Sequence, residues 1–145
     1  MIEPKHIILD AEAASAADAI HTAGNLLVVS GLAEPRYVEA MIQGFTDVGP
    51  YIVLAPGIAV PHARPEHGVN QTGMSFVRLK EEVVFGHPGN DPVRLVCAIC
   101  GTDNISHIGL LQQLSGVLGN PNKLNALYRA TTKEEVALIL KGEDE

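Results

Sequence analysis

The sequence predicts an α/β fold: a single-domain sandwich with a mixed (parallel/antiparallel) sheet of about five strands and helices on both faces. Short β-branched apolar runs alternate with segments whose apolar residues recur at helical spacing, and glycine and proline clusters separate them. The 145 residues, of which 46% are hydrophobic, suffice for one aliphatic core but not for two ordinary domains. We therefore expect residues 1–145 to form one domain.

The first half of the chain predicts one strand, two helices and two further short strands. Asp10 is expected to cap the first helix and Gly31 to end it, whereas Pro35 suits the first turn of the second. Gly44 and the polar cluster after it should stop the second helix. The predicted strands are 6–9, 51–54 and 57–60, and the helices run from 10 to 31 and from 35 to 44–50.

The second half predicts two stronger strands followed by three helices. The strands 72–79 and 92–100 are separated by a loop at 85–91. Thr132 and Glu135 have the spacing of a capping box at the start of the last helix. The tail at 142–145 is expected to be a solvated end. The three helices are predicted at 105–118, 121–129 and 132–140.

The charge of the chain excludes some classes of partner. Ten lysines and arginines against 17 acidic residues give a formal charge of −7, which argues against a nucleic-acid groove and an anionic membrane surface. A basic protein partner stays open. Neither a targeting segment nor a bilayer-spanning run is apparent, so we expect a cytoplasmic protein without membrane insertion.

The two cysteines, Cys97 and Cys100, have a Cys-x-x-Cys spacing that can indicate redox or metal chemistry at the start of a helix. Here they lie in an apolar, β-branched run that predicts a buried strand. Residues three apart on a strand point to opposite faces. We therefore interpret both as small buried core residues.

His62 is the first candidate functional residue, because the segment around it, Ala-Pro-Gly-Ile-Ala-Val-Pro-His-Ala-Arg-Pro-Glu at 55–66, is stiffened by three prolines and a glycine. A stiff loop holds the imidazole at the end of a predicted strand. The ordinary pKa of imidazole lies nearest neutrality among side chains, so His62 could act as base, nucleophile or metal ligand.

His107 is the second candidate, because it falls near the first turn of a helix that follows a buried strand. Asp103, Asn104 or Ser106 is available as the cap. Unpaired N–H groups at a helix start favour an anion and keep a nearby imidazole neutral. The two histidines could meet over such an anion.

Three segments together carry a family resemblance: Tyr-Val-Glu-Ala-Met at 37–41, Gly-Ile-Ala-Val-Pro-His at 57–62, and Asn-x-x-His-Ile at 104–108. In this order and at these separations they resemble the enzyme IIA domain of the bacterial phosphoenolpyruvate-dependent sugar phosphotransferase system, mannitol/fructose type. The similarity runs from about residue 6 to 142, and segment 55–66 most resembles the ascorbate type.

The resemblance implies that His62 accepts a phosphoryl group from the histidine phosphocarrier protein and passes it to a cysteine of enzyme IIB. The membrane enzyme IIC would be an indirect partner, and no metal or other cofactor is needed. His107 would assist without being stably phosphorylated. The resemblance also implies an arginine in mannitol-type members at the position where this chain has Gly44. Arg64 is the nearby residue that could replace it in a phosphoryl contact. The preferred interpretation of Arg64 is nevertheless a solvated surface charge.

The physical scheme beside this resemblance needs an acceptor that fixes the tautomer of His62, which the sequence does not identify. It also suggests an apolar rim formed by Ile58, Val60 and Ile108. The other histidines are interpreted as surface or turn residues, namely His6, His21, His67 and His87.

Two alternatives stay open at this point. One is a regulatory phosphoprotein of the same fold, the nitrogen-type IIA, in which phosphorylation of His62 switches protein binding. The other is a metal-binding module or hydrolase that uses His62, His67 and His107, although no carboxylate or cysteine adds ligands at a recognisable spacing. The transported sugar and the oligomeric state, including a homodimer, are not fixed by the sequence.

Overall fold

A mixed sheet with helices on both faces forms the computed structural model, which describes residues 2–141 and confirms the predicted fold class. The predicted solvated tail at 142–145 lies outside the described residues. The strands are β1 Ile7–Ala11, β2 Val53–Ala55, β3 Ile58–Ala59, β4 Gly73–Met74, β5 Phe76–Val83, β6 Val93–Val96 and β7 Ile99–Cys100. The helices are α1 Ala16–Val29, α2 Pro35–Val48, α3 Asn104–Leu118, α4 Pro121–Arg129 and α5 Lys133–Leu140, with 3₁₀ turns at Pro4–His6 and Pro65–His67.

The order of the strands determines which loops meet. The five-stranded sheet runs β1-β5-β6-β3-β2, and β4 pairs with β7 separately. The β1/β5 and β3/β6 pairs are parallel, whereas β5/β6 and β2/β3 are antiparallel. Because β3 and β6 are parallel, with Ile58 opposite Leu95 and Ala59 opposite Val96, their carboxyl ends lie at the same edge of the sheet. The segments that follow them therefore come together there.

Two apolar clusters fill the space between the sheet and the helices. One joins α1 and α2 to the first face, through residues such as Ile20, Leu27 and Met41. The other joins α3, α4 and α5 to the opposite face, through residues such as Leu114 and Leu127. Within residues 2–141, no helix combines the length and apolarity required to cross a bilayer.

The cysteines confirm the expected alternation. Cys100 belongs to the cluster under α1 and α2, and Cys97 to the cluster under α3, α4 and α5. Both thiols are free and buried. Burial raises the pKa of Cys97 to about 12 and that of Cys100 to about 11.

One predicted helix boundary was wrong. Asp10 does not cap α1: it lies within β1 at a positive φ of 58°, and the Ser15 hydroxyl accepts from the Asp18 N–H instead. Helix α2 ends at Val48, within the predicted range of 44–50, although it continues through Gly44. Glycine lowers helix stability by only about 1 kcal/mol, which surrounding packing readily offsets. The end of α1 was predicted correctly, because Gly31 has φ 80° and Leu32 N–H donates to Leu27 O.

Each of the two long predicted strands is divided. Ser75 separates β4 from β5, and its hydroxyl donates to Ala23 O on α1. Its N–H donates to Ala98 O, which lies between β6 and β7. Beside them, Pro61 has no N–H to extend the ladder of β3, although its carbonyl accepts from Ile99 N–H. Alternation of apolar residues cannot reveal such an interruption, since it depends on neighbouring segments.

Candidate functional site

His62 lies on the loop after β3, at the sheet edge where β6 also ends. Backbone hydrogen bonds hold the segment that leads into this loop: Cys97 N–H donates to Ala59 O, and Ile99 N–H donates to Pro61 O. The half-buried imidazole lines an open depression together with Tyr51, Arg64 and His107. The predicted stiff loop at the end of a strand is therefore present.

The tautomer of His62 follows from one contact. Its Nδ1 lies 2.8 Å from Val60 O. A carbonyl oxygen can only accept, so Nδ1 carries the proton and donates. The lone pair then resides on Nε2, which is the ring nitrogen able to attack an electrophile or accept a proton. This backbone carbonyl, two residues before His62, is the tautomer-fixing acceptor that the sequence did not identify.

His107 lies near the N-terminal end of α3, beside His62. Of the predicted caps, Asp103 is the one used, and its Oδ1 accepts from Ser106 N–H at 2.8 Å. That hydrogen bond lowers the pKa of Asp103. The imidazole centroids of His62 and His107 are 5.1 Å apart. The expectation that the two histidines meet at a helix start is thus met by the geometry.

The protonation of His107 is biased toward the neutral ring. Burial is the main cause that lowers its pKa, and the neighbouring His62 lowers it further. A neutral imidazole has one N–H donor, so His107 can contact an anion without adding a full positive charge.

Gly101 permits the close approach of α3 to the end of β7. A Cβ at this position would lie 2.7 Å from the His107 backbone nitrogen and 2.8 Å from its Cα. Real Cβ atoms essentially never come so close to backbone. The absence of a side chain at Gly101 therefore sets how closely the first turn of α3 approaches the end of β7. It also sets the position of His107 relative to His62.

Tyr51 is a site residue that the sequence analysis missed, since it was interpreted only as part of a strand. Its ring meets His62 edge-on, with centroids 5.9 Å apart and an interplanar angle of 87°. A Cβ at Gly44 would lie 3.1 Å from the Tyr51 hydroxyl. Gly44 therefore leaves room for the Tyr51 hydroxyl.

Arg64 lies at the margin of the depression and is largely solvated. Its side chain is 81% exposed, and its Nη1 is 3.9 Å from a carboxylate oxygen of Glu66. Such a distant exposed pair contributes little to stability. This geometry agrees with the surface interpretation of Arg64, and an anion contact stays a prediction.

The expected apolar rim was wrong in two of its three members. Ile58 and Val60 are each 1% exposed and belong to the core under α3, since Ile58 lies in β3 and Val60 directly follows that strand. Ile108 is 52% exposed. The exposed apolar side chains on the segments that carry the site are instead those of Tyr51, Leu54, Ile105 and Ile108.

His6 was also wrongly interpreted as a surface residue. It is buried, and its Nδ1 accepts from Glu3 N–H. Burial lowers its pKa. His21 and His67 are exposed, as predicted, and His87 is half-buried in a turn. Within residues 2–141, no group of three or more His, Cys, Asp or Glu side chains is arranged to hold a metal ion.

Comparisons with known proteins show the family of the chain. Residues 1–143 match the family model described as "Phosphoenolpyruvate-dependent sugar phosphotransferase system, EIIA 2". The chain is 38% identical over 138 residues to the ascorbate-specific PTS system EIIA component of Escherichia coli K12, which covers 94% of this chain and 89% of that protein.

Solved structures give the same result. A complex of mannitol enzyme IIA with phosphorylated enzyme IIB from Escherichia coli matches with a TM-score of 0.86 and 32% identity, and covers 99% of each chain. The nitrogen regulatory protein IIA-Ntr of Neisseria meningitidis matches with a TM-score of 0.80 and 29% identity, and covers 95% of this chain and 94% of that one.

Proposed function

The chain belongs to the type 2 enzyme IIA family of the phosphoenolpyruvate-dependent sugar phosphotransferase system, whose members are phosphotransferases, and we propose that it acts through Nε2 of His62. The observation that carries this assignment is the hydrogen bond from Nδ1 to Val60 O, which leaves the lone pair on Nε2. His62 lies in an open depression, where a partner protein can reach it.

The proposed reaction has two steps. The Nε2 lone pair attacks the phosphorus of a phosphohistidine on the histidine phosphocarrier protein; the donor N–P bond breaks, and its electron pair returns to the donor imidazole. A cysteine thiolate of enzyme IIB then attacks the phosphorus, and the second N–P bond returns its pair to Nε2 of His62. The Nδ1–H group of the phosphorylated ring keeps its hydrogen bond to Val60 O, and this carbonyl stabilises positive charge on the ring.

His107 assists by contacting the phosphoryl oxygens in this proposal. Loose phosphoryl transfer depends mainly on positioning and on stabilisation of oxygen charge. The His107 ring is adjacent to His62, and its lowered pKa favours a neutral donor. Arg64 could supply a further contact by turning away from Glu66, since both groups are solvated.

The position of His107 gives a testable prediction. We expect Gly101→Ala to slow phosphoryl transfer by about 10- to 100-fold, since a misplacement of about 1 Å can have an effect of this size. The added Cβ overlaps the backbone of His107. Stopped-flow transfer to enzyme IIB measures the rate. Gly116→Ala, on the helix that carries His107, is the control, because nothing lies within 4 Å of its added Cβ. Equal rates in the two variants would show that Gly101 does not position His107.

The proposed pathway is uptake of a sugar acid similar to ascorbate. The Escherichia coli relative with 38% identity is ascorbate-specific, and the mannitol IIA neighbour forms a complex with phosphorylated IIB. We therefore propose a cognate IIB as the acceptor and membrane enzyme IIC as an indirect partner. Residues 1–145 act as one IIA domain in the cytoplasm in this proposal.

The proposal is tested by incubating the chain with phosphoenolpyruvate, enzyme I and the phosphocarrier protein. Intact mass should show one acid-labile phosphoryl adduct, and ¹⁵N NMR of the imidazoles should locate it on Nε2 of His62. Addition of an ascorbate-type IIB should remove the adduct. An adduct on Nδ1, on another residue, or no adduct at all would contradict the assignment.

A regulatory function is the second candidate, favoured by the likeness to the nitrogen regulatory protein of Neisseria meningitidis. The same His62 would then be phosphorylated, but the product would be a change in protein binding. Retention of the phosphoryl group in the presence of the ascorbate-type IIB, together with a phosphorylation-dependent change in binding to another protein, would favour this alternative.

A further inference from the structure

The Tyr37 hydroxyl joins three segments of the chain near the site. Tyr37 is 0% exposed and lies in the first turn of α2. Its hydroxyl is 2.8 Å from Ile99 O and 3.2 Å from Ala63 O, and it accepts from Ala63 N–H at 3.0 Å. One side chain therefore connects α2, the loop after His62, and β7.

The Tyr37 hydroxyl has one proton but three backbone hydrogen-bond partners. It has a single hydrogen, which serves Ile99 O at the shorter distance and Ala63 O at the longer one, while its lone pair takes the Ala63 N–H. Burial raises the pKa of Tyr37, so the proton is retained. No solvent reaches this side chain to replace the hydroxyl, and its loss leaves the buried Ile99 O and the half-buried Ala63 backbone without this partner.

The contacts of this hydroxyl lead to both histidines. Ala63 directly follows His62, and Ile99 N–H donates to Pro61 O on the other side of it. Two residues after Ile99, Gly101 packs against the backbone of His107. The Tyr37 hydroxyl therefore restrains the backbone next to His62 and also the backbone that packs against His107.

We propose that Tyr37 is a positioning residue for phosphoryl transfer, whose hydroxyl holds His62 in the tautomer protonated on Nδ1 and sets the separation of the two imidazoles. The inference rests on the proposed function of His62. The phenyl ring of Tyr37 also packs in the core, but phenylalanine preserves that packing, so Tyr37→Phe isolates the hydroxyl.

The test compares Tyr37→Phe with Tyr128→Phe, a half-buried tyrosine on α4 outside the site. For Tyr37→Phe we expect transfer at saturating donor to slow by roughly 10- to 100-fold, because small displacements of reacting groups have effects of that size. The donor concentration that gives half-maximal rate should change little. In ¹⁵N NMR, the His62 signals should shift from a single tautomer toward a mixture, whereas Tyr128→Phe keeps the wild-type rate and tautomer.

The outcomes separate this inference from the proposed function. Failure of the wild-type chain to become phosphorylated on His62 would overturn the proposed function. A phosphorylated wild type with an unchanged rate and tautomer in Tyr37→Phe would overturn the positioning role alone. Should Tyr37→Phe not fold, 3-fluorotyrosine at position 37 replaces it. Its hydroxyl is a weaker acceptor from Ala63 N–H and a stronger donor to Ile99 O, so a changed transfer rate and tautomer balance are expected, and wild-type values contradict the proposal.

Discussion

His62→Ala is expected to abolish phosphoryl incorporation from phosphoenolpyruvate and all transfer to enzyme IIB. The variant removes Nε2, the nitrogen that forms the N–P bond in the proposed mechanism, and no neighbouring group takes its place. The ring centroid of His107 is 5.1 Å from that of His62. His107 does not replace His62 as acceptor, because it lies at the start of α3 and lacks the contact with Val60 O that fixes the tautomer of His62. Intact mass after incubation with the three upstream components measures incorporation.

The fold should survive this change. His62 is half-buried, and it loses one hydrogen bond to Val60 O, which contributes about 1 kcal/mol. His67→Ala provides the matched control, because His67 is an exposed histidine in the 3₁₀ turn just beyond the site. It should incorporate the phosphoryl group at the wild-type rate. A stoichiometric adduct in His62→Ala would refute the assignment.

Arg78→Met is expected to have the largest effect on stability, a loss of roughly 3 kcal/mol. Arg78 is only 6% exposed, and its Nη1 lies 3.1 Å from Leu127 O, 3.3 Å from Tyr128 O and 2.7 Å from Ala130 O. These carbonyls belong to the end of α4, where a helix leaves its last acceptors unpaired. Methionine fills similar space but leaves them buried without a donor.

Urea unfolding measures this effect, which should appear as a lower midpoint with an unchanged m value. Arg129→Met is the control, because Arg129 is exposed in the same region and its loss should change stability by less than about 1 kcal/mol. Equal midpoints for the two variants would show that the carbonyls at the end of α4 do not depend on Arg78. Phosphoryl transfer by folded Arg78→Met should stay close to wild type, since Arg78 is not among the residues that line the site.

Local rules predicted much of the helical structure. Helix α4 has the predicted bounds, Pro121–Arg129, and Thr132 and Glu135 form the predicted capping box of α5. The signals there are a proline at the start of α4 and a threonine with a glutamate three residues later at the start of α5, and the groups that they satisfy lie within a few residues. The same reasoning located His62 at the end of a strand and His107 near a helix start.

Long-range contacts account for what could not be predicted. The bonds from Tyr37 reach 26 residues to Ala63 and 62 residues to Ile99, and no period in the sequence records such a pairing. Val60 was expected to contribute to an apolar rim of the site, but it directly follows β3, is 1% exposed and packs in the core under α3. A boundary such as Ser15 rather than Asp10 depends on how far β1 continues along β5.

The burial of both cysteines has a chemical consequence for the proposed transfer of the phosphoryl group to a cysteine of enzyme IIB. A phosphoryl group on His62 could in principle migrate to a thiol of its own chain, yet Cys97 and Cys100 are enclosed on opposite faces of the sheet. Their raised pKa values of about 12 and about 11 keep them protonated near neutral pH, whereas the thiolate is the nucleophile. Neither Cys97 nor Cys100 is therefore expected to accept the phosphoryl group from His62. In a mixture with IIB, a thiol-directed alkylating reagent should modify the acceptor alone and stop the relay at a defined step.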